Sequence, residues 1–165
     1  MWRSTDDGVI WHPLSDSLSS LACGAIASDP QTSDVIYLGT GESNYSGDSY
    51  YGNGLFKTTD GGATWTRLFD TFIGSYYSQI VVDPTNPNIV YVASDKNVYK
   101  STDAGAGWSN TRCGGSVNCL IMDPVNTQVL FATIGGAGAN SIVKSTNGGA
   151  SWSTLTAGLP TTTMG

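Results

Sequence analysis

The chain has 165 residues, 39% of them hydrophobic and only 12% charged, and seven Lys and Arg against thirteen Asp and Glu leave a net charge of −6. That length holds one sizeable domain, the apolar content exceeds that of disordered chains, and no apolar run nears the ~20 residues of a membrane span. The acidic balance excludes binding driven by phosphate neutralisation, so no nucleic-acid partner is expected.

Met1-Trp2-Arg3-Ser4 lacks the basic stretch and apolar run of a signal peptide. The first recognisable element is an octapeptide, Ser4 to Trp11, with Asp6 and Gly8 inside it. An apolar strand, Ala25 to Ser28, then ends in Asp29-Pro30, and a second strand follows over Val35 to Thr40. A third, Leu55-Phe56-Lys57, runs into another octapeptide, Thr58 to Trp65, and Trp65 opens a fourth. The cycle repeats. Ile80 to Pro84, Ile89 to Ser94 and Val98 to Lys100 lead into Ser101 to Trp108. Leu120 to Pro124, Val129 to Thr133 and Ile142 to Lys144 lead into Ser145 to Trp152. The runs are short, rich in β-branched and aromatic residues, and bounded by Gly, Pro, Asn and Asp, so they read as strands. The Trp-to-Trp spacings of 54, 43 and 44 residues, with four strands per repeat, are the arithmetic of a propeller blade.

The four octapeptides match the S/T-x-D-x-G-x-x-W pattern, and the chain resembles the Asp-box (BNR) repeat β-propellers. Secreted bacterial BNR-repeat proteins are nearest, and sortilin-type and xyloglucanase propellers are more distant. Asn147 departs mildly from the pattern. The resemblance implies an all-β propeller segment and leaves function open.

Each box is expected to be a hairpin between the third and fourth strands of a blade. Asp6, Asp60, Asp103 and Asn147 are expected to accept backbone N–H groups and hold the turn. Gly8, Gly62, Gly105 and Gly149 permit positive φ. Trp11, Trp65, Trp108 and Trp152 are expected to be apolar plugs between blades. A box offers at most two carboxylates, too few for a calcium loop. No metal and no cofactor are expected.

Strand counting gives about three and a half blades. Residues 1–14 hold the outer strands of a partial blade, 24–68 form blade one with an insertion at 42–53, and 79–110 form blade two. Residues 119–156 form blade three, and 157–165 lead towards a missing blade. Closed propellers need at least four blades. The expected partners are therefore further blades or other subunits, because bare edges and faces drive association.

Irregular loops cluster on the face opposite the boxes, where sites are commonly grafted. Glu42, Tyr45, Asp48, Tyr50 and Tyr51 lie in the insertion, and Phe72, Tyr76 and Tyr77 in the next interblade loop. Aromatics flanked by carboxylates suit a sugar-stacking or protein-binding surface. A glycosidase needs two opposed carboxyl groups, and Glu42, Asp48 and Asp70 are the candidates on that face. No catalytic residue is assigned. A sialidase reading would require an arginine triad, and Arg3, Arg67 and Arg112 do not converge. His12 reads as a surface residue. Asn44-Tyr45-Ser46 is a glycosylation sequon. Cys113 and Cys119 form either a short disulfide in an oxidising compartment or two ordinary thiols, and Cys23 stands alone. Together these features point to a non-catalytic module, secreted or at the cell surface, that binds a protein or glycan or serves assembly. The alternative is part of a secreted carbohydrate-active glycoside hydrolase.

Overall fold

The structure is a computed structural model that describes residues 1–43, 47–68, 76–135 and 140–156. All regular structure in it is β. A two-stranded sheet pairs β1 (Trp2–Arg3) with β2 (His12–Pro13). Three four-stranded antiparallel sheets follow, each in simple up-and-down order. The first contains β3 (Cys23–Ser28), β4 (Ile36–Thr40), β5 (Leu55–Thr58) and β6 (Thr66–Arg67). The second contains β7 (Tyr77–Val82), β8 (Val90–Ser94), β9 (Val98–Ser101) and β10 (Ser109–Asn110). The third contains β11 (Val117–Met122), β12 (Leu130–Ile134), β13 (Ser141–Ser145) and β14 (Ser153–Thr154). Among the described residues no helix is long and apolar enough to cross a membrane.

The same register recurs in each sheet. Tyr37 of β4 faces Lys57 of β5, and Tyr91 of β8 faces Lys100 of β9. Phe131 of β12 faces Lys144 of β13. Each first strand carries an irregularity at its start, at Cys23/Ala25, Tyr77/Gln79 and Val117/Cys119. Such bulges bend a strand. Here they sit where β3, β7 and β11 lie side by side as the sheets pack. Gly24 is required there, because a Cβ would overlap the Tyr77 and Gly41 carbonyl oxygens.

The core lies between sheets. One cluster joins blades one and two through Tyr37, Leu55, Tyr77, Ile80, Val90 and Val92. A second joins blades two and three through Tyr91, Val98, Cys113, Leu120, Leu130 and Val143. Burying each such side chain contributes roughly 1.5–3 kcal/mol. Blade three presents the equivalent positions differently. Tyr37 and Tyr91 are 1% exposed and Leu55 and Val98 are 0% exposed, whereas Phe131 and Ile142 are only half-buried. At the other end Trp2, Val9, Ile10 and Trp11 are exposed.

The box tryptophans plug the seams in part: Trp108 and Trp152 pack against the clusters between blades, whereas Trp11 stays exposed. Trp65, Trp108 and Trp152 are half-buried, and Trp11 is 56% exposed. Each indole N–H finds an oxygen: Gly8 O for Trp11, Leu14 O for Trp65, Gly105 O for Trp108 and Thr111 Oγ1 for Trp152, all at 2.8–3.2 Å. The indole's polar edge keeps it at the surface of the seam. Of the two readings of Cys113 and Cys119, the structure has both as free thiols. Cys113 is buried, its thiol donating to Asn97 Oδ1 at 2.9 Å, and Cys119 is exposed on β11.

Candidate functional site: a blade-one rim and the Asp-box seams

The four boxes share one set of bonds. Asp6 Oδ1 accepts from Ile10 N, Asp60 Oδ1 from Thr64 N, Asp103 Oδ1 from Gly107 N and Asn147 Oδ1 from Ser151 N, at 2.7–2.9 Å. The hydroxyl that opens each box completes the loop. Thr58 Oγ1 donates to Asp60 Oδ1 at 2.7 Å and accepts from the buried Gly62 N at 2.9 Å. Ser4, Ser101 and Ser145 do the same. Hydrogen bonds from the Thr58 and Thr64 hydroxyls and the Thr64 amide hold the Asp60 carboxyl at about 2. The Gly107 amide and the Ser101 hydroxyl hold Asp103 low as well. Each box bends through two successive left-handed residues. Gly62 at φ 98° follows Gly61 at 70°, and Gly105 at 94° follows Ala104 at 55°. Ala104 and Asp7 take this conformation without being glycine.

The first left-handed residue is also a joint. Its N–H bonds within its own blade: Gly61 to Asp34 O, Ala104 to Asn88 O and Gly148 to Gln128 O, each at 2.9 Å. Its carbonyl is held by the preceding blade. Arg3 Nη1 donates to Gly61 O at 3.2 Å. Tyr37 Oη and Lys57 Nζ donate to Ala104 O at 3.1 and 2.8 Å. Tyr91 Oη and Lys100 Nζ donate to Gly148 O, both at 3.0 Å. Each lysine also lies over the tyrosine ring, at 5.2 and 5.3 Å. Burial raises both phenols to about 12, with Asp29 and Asp83 adding to it, and lowers both lysines against the pull of the same carboxylates.

Sequence reasoning assigned the box Asp, Gly and Trp but missed the opening hydroxyl, the Tyr–Lys clamp and the Asp-Pro carboxylates. The signal for the clamp was Lys or Arg before every box. Asp29, Asp83 and Asp123 each accept two backbone N–H groups of their own turns at 2.7–3.3 Å.

On the opposite face, the crossing from β4 to β5 builds a cleft of about 630 Å³. Glu42, Tyr50, Tyr51 and Asn53 line it, facing Ser19 and Ser20 from the preceding connection. Tyr50 and Tyr51 are 71% and 72% exposed. Thr40 Oγ1 anchors the loop, donating to Gly54 O at 2.7 Å and accepting from Asn53 N at 2.8 Å. Asn53 Nδ2 donates to Ser19 Oγ at 2.5 Å, tying the two walls. Glu42 Oε2 accepts from Tyr50 N at 3.3 Å. Tyr51 stacks on the half-buried Tyr76, with centroids 5.2 Å apart.

Of the expected surface, the structure thus gathers Glu42, Tyr50, Tyr51 and Tyr76. Asp48 is exposed on the same loop but is not among the cleft's lining residues. Tyr77 is a correction. It is 2% exposed and belongs to the core between blades one and two, because β7 alternates and turns it away from Tyr76. Asn44, Tyr45, Asp70 and Phe72 lie outside the described residues. Among the described residues no cluster of His, Cys, Asp and Glu could hold a metal ion.

A family model, Sortilin-Vps10, described as sortilin, neurotensin receptor 3, matches residues 53–163. The chain belongs to the Sortilin-Vps10 family. The match spans the three box hairpins Thr58 to Trp65, Ser101 to Trp108 and Ser145 to Trp152, in keeping with a BNR-type propeller. Curated relatives include a xyloglucanase of Paenibacillus sp, 29% identical over 139 residues, 76% of this chain and 13% of that protein. Another is a xyloglucanase of Hypocrea jecorina, 28% identical over 140 residues, 77% of this chain and 16% of that protein. The chain therefore spans only 13–16% of the length of these relatives. The Niastella koreensis GH74 enzyme superposes with a TM-score of 0.70 at 24% identity, over 94% of this chain and 26% of that one. YCF48 from Cyanidioschyzon merolae gives 0.54 at 17% identity over 81% of this chain and 37% of that one, a likeness of fold. The relatives overturn the reading of this chain as a non-catalytic binding or assembly module and favour the glycoside-hydrolase alternative. The physical reason for the misreading is that boxes are hairpin chemistry, common to all these proteins, and carry no trace of the reaction.

Proposed function

We propose that these blades are part of a carbohydrate-active glycoside hydrolase and that the blade-one rim is a subsite for a β-glucan chain of the xyloglucan kind. The observation that carries this is the cleft that places exposed Tyr50 and Tyr51 beside Glu42 and Asn53. Aromatic faces stack on sugar rings, and carboxylate and amide groups take the hydroxyls. Glu42 is the single carboxylate among the cleft's described lining residues. Glycoside hydrolysis uses two carboxyl groups across the scissile bond, so the rim's role is to hold and orient substrate, with the second carboxyl supplied from outside this cleft. A polysaccharide substrate places the protein outside the cell, and the chain's other partners are the further blades of its propeller.

Calorimetric titration with a xyloglucan oligosaccharide tests the reading. The wild-type chain is expected to bind, and a Tyr50→Ala/Tyr51→Ala double variant to bind at least tenfold more weakly with an unchanged melting temperature. Equal binding by the two proteins would overturn it.

A further inference from the structure

The three seams between boxes and preceding blades differ in the side chain nearest the box glycine, which the preceding blade supplies just after its last strand. Under Gly62 it is Leu14, whose Cδ1 lies 2.7 Å from where a Cβ would stand. Under Gly105 it is Leu68, at 2.8 Å. Under Gly149 it is Thr111, at 3.2 Å. The smaller, polar Thr111 lines a groove of about 570 Å³ in the third seam.

Three features give this groove a chemical character. Its lining includes two cations, Lys100 and Arg112, and no carboxylate among the described residues, in a chain with seven cations and a net charge of −6. No described residue pairs with the Arg112 guanidinium. The box that forms its other wall is the one with Asn147 where the rest carry Asp, so a negative charge is removed beside the groove. One side of the groove is the indole of Trp152, tethered edge-on to Thr111 Oγ1 at 3.2 Å, with Asn110 and Ser151 at the mouth.

We propose that the seam between blades two and three binds an acidic sugar, a uronate-bearing glycan, at a site separate from the blade-one rim. The sugar ring packs on Trp152. Its carboxylate lies between Arg112 and Lys100, where the guanidinium offers a paired donor edge. Its hydroxyls reach Asn110 and Ser151. The blade-one rim has the opposite electrostatics, with Glu42 and no cation among its lining residues, and suits a neutral sugar.

The test uses two variants that restore what the other seams already contain. Thr111→Leu refills the groove, and Asn147→Asp restores the box carboxylate. Both residues occur at the matching positions of folded repeats, so folding is expected to be kept and is checked by the melt. Titration of the full chain with trigalacturonate is expected to show binding that weakens as salt is raised. Each variant is expected to bind at least fivefold more weakly, and Tyr51→Ala to bind as wild type does. Cellotriose is expected not to compete. No binding of trigalacturonate, equal binding by Thr111→Leu and wild type, or equal competition by cellotriose would overturn the proposal. Loss of binding in Tyr51→Ala alone would overturn it too, by placing the acidic sugar on the rim.

Discussion

The two faces of these blades are built by opposite rules. On the box face, four hairpins of different sequence repeat the same loop of hydroxyl, side-chain Oδ1 and backbone amide within a few tenths of an ångström. On the other face, the β8–β9 crossing needs only Asp95, Lys96 and Asn97, while the β4–β5 crossing takes residues 41–54. A turn held by its own hydroxyl and Oδ1 tolerates little change, because losing the hydroxyl strands a buried donor such as Gly62 N. A crossing that need not repeat one bonding pattern can lengthen and carry aromatics. The comparison teaches that in this protein the repeated residues hold the scaffold and the residues that break the repeat make the sites.

The strongest way to break the comparison is at the bulge that opens β3 on the rim face. Gly24→Ala drives a methyl into two carbonyl oxygens, and a loss of roughly 3 kcal/mol or more is expected in denaturant unfolding. Next comes the box hydroxyl. Thr58→Val leaves the buried Gly62 N–H without its acceptor, at a cost of about 1–3 kcal/mol. Tyr91→Phe removes one of the two donors on Gly148 O. It is expected to cost about 1 kcal/mol, since Lys100 remains and blade three itself carries Phe131 at this position.

Acid sharpens the comparison without mutation. The Asp60 carboxyl is held at about 2, below its ordinary 3.8. A depressed folded value means that the stabilisation is present above about pH 4 and is lost as pH falls towards 2. Hydrogen exchange is expected to show the box amide Thr64 N–H opening in that window, while Asn147, which does not ionise, keeps Ser151 N–H protected. Protection lost equally in both boxes would sink this account. The smallest effect on stability belongs to the rim. Tyr51→Ala is expected to leave the melting temperature within a degree or so while weakening neutral-sugar binding.

Much of the scaffold was legible in the sequence. The β-branched and aromatic run Val90-Tyr91-Val92 and the Asp-Gly-Trp spacing mark strands and hairpins by local chemistry alone. The fate of Tyr77 was not, because Tyr76 and Tyr77 look alike in sequence and only the strand start decides which one faces inward. The tryptophans were legible only in part, for a related reason. An indole has an apolar body and a donor edge, and which one governs depends on the oxygen within reach, Leu14 O or Thr111 Oγ1. The groove at Thr111 showed in sequence only as one departure among several. Its meaning needed the geometry of the two leucines that fill the sister seams.

The clamp has a consequence for how the molecule assembles itself. Tyr37 and Lys57 grip a carbonyl that points outward only when Ala104 sits in its left-handed conformation. The full two-donor grip is therefore available only to a closed hairpin. Because turns close far faster than distant sheets meet, hairpin closure is expected to come before capture by the preceding blade.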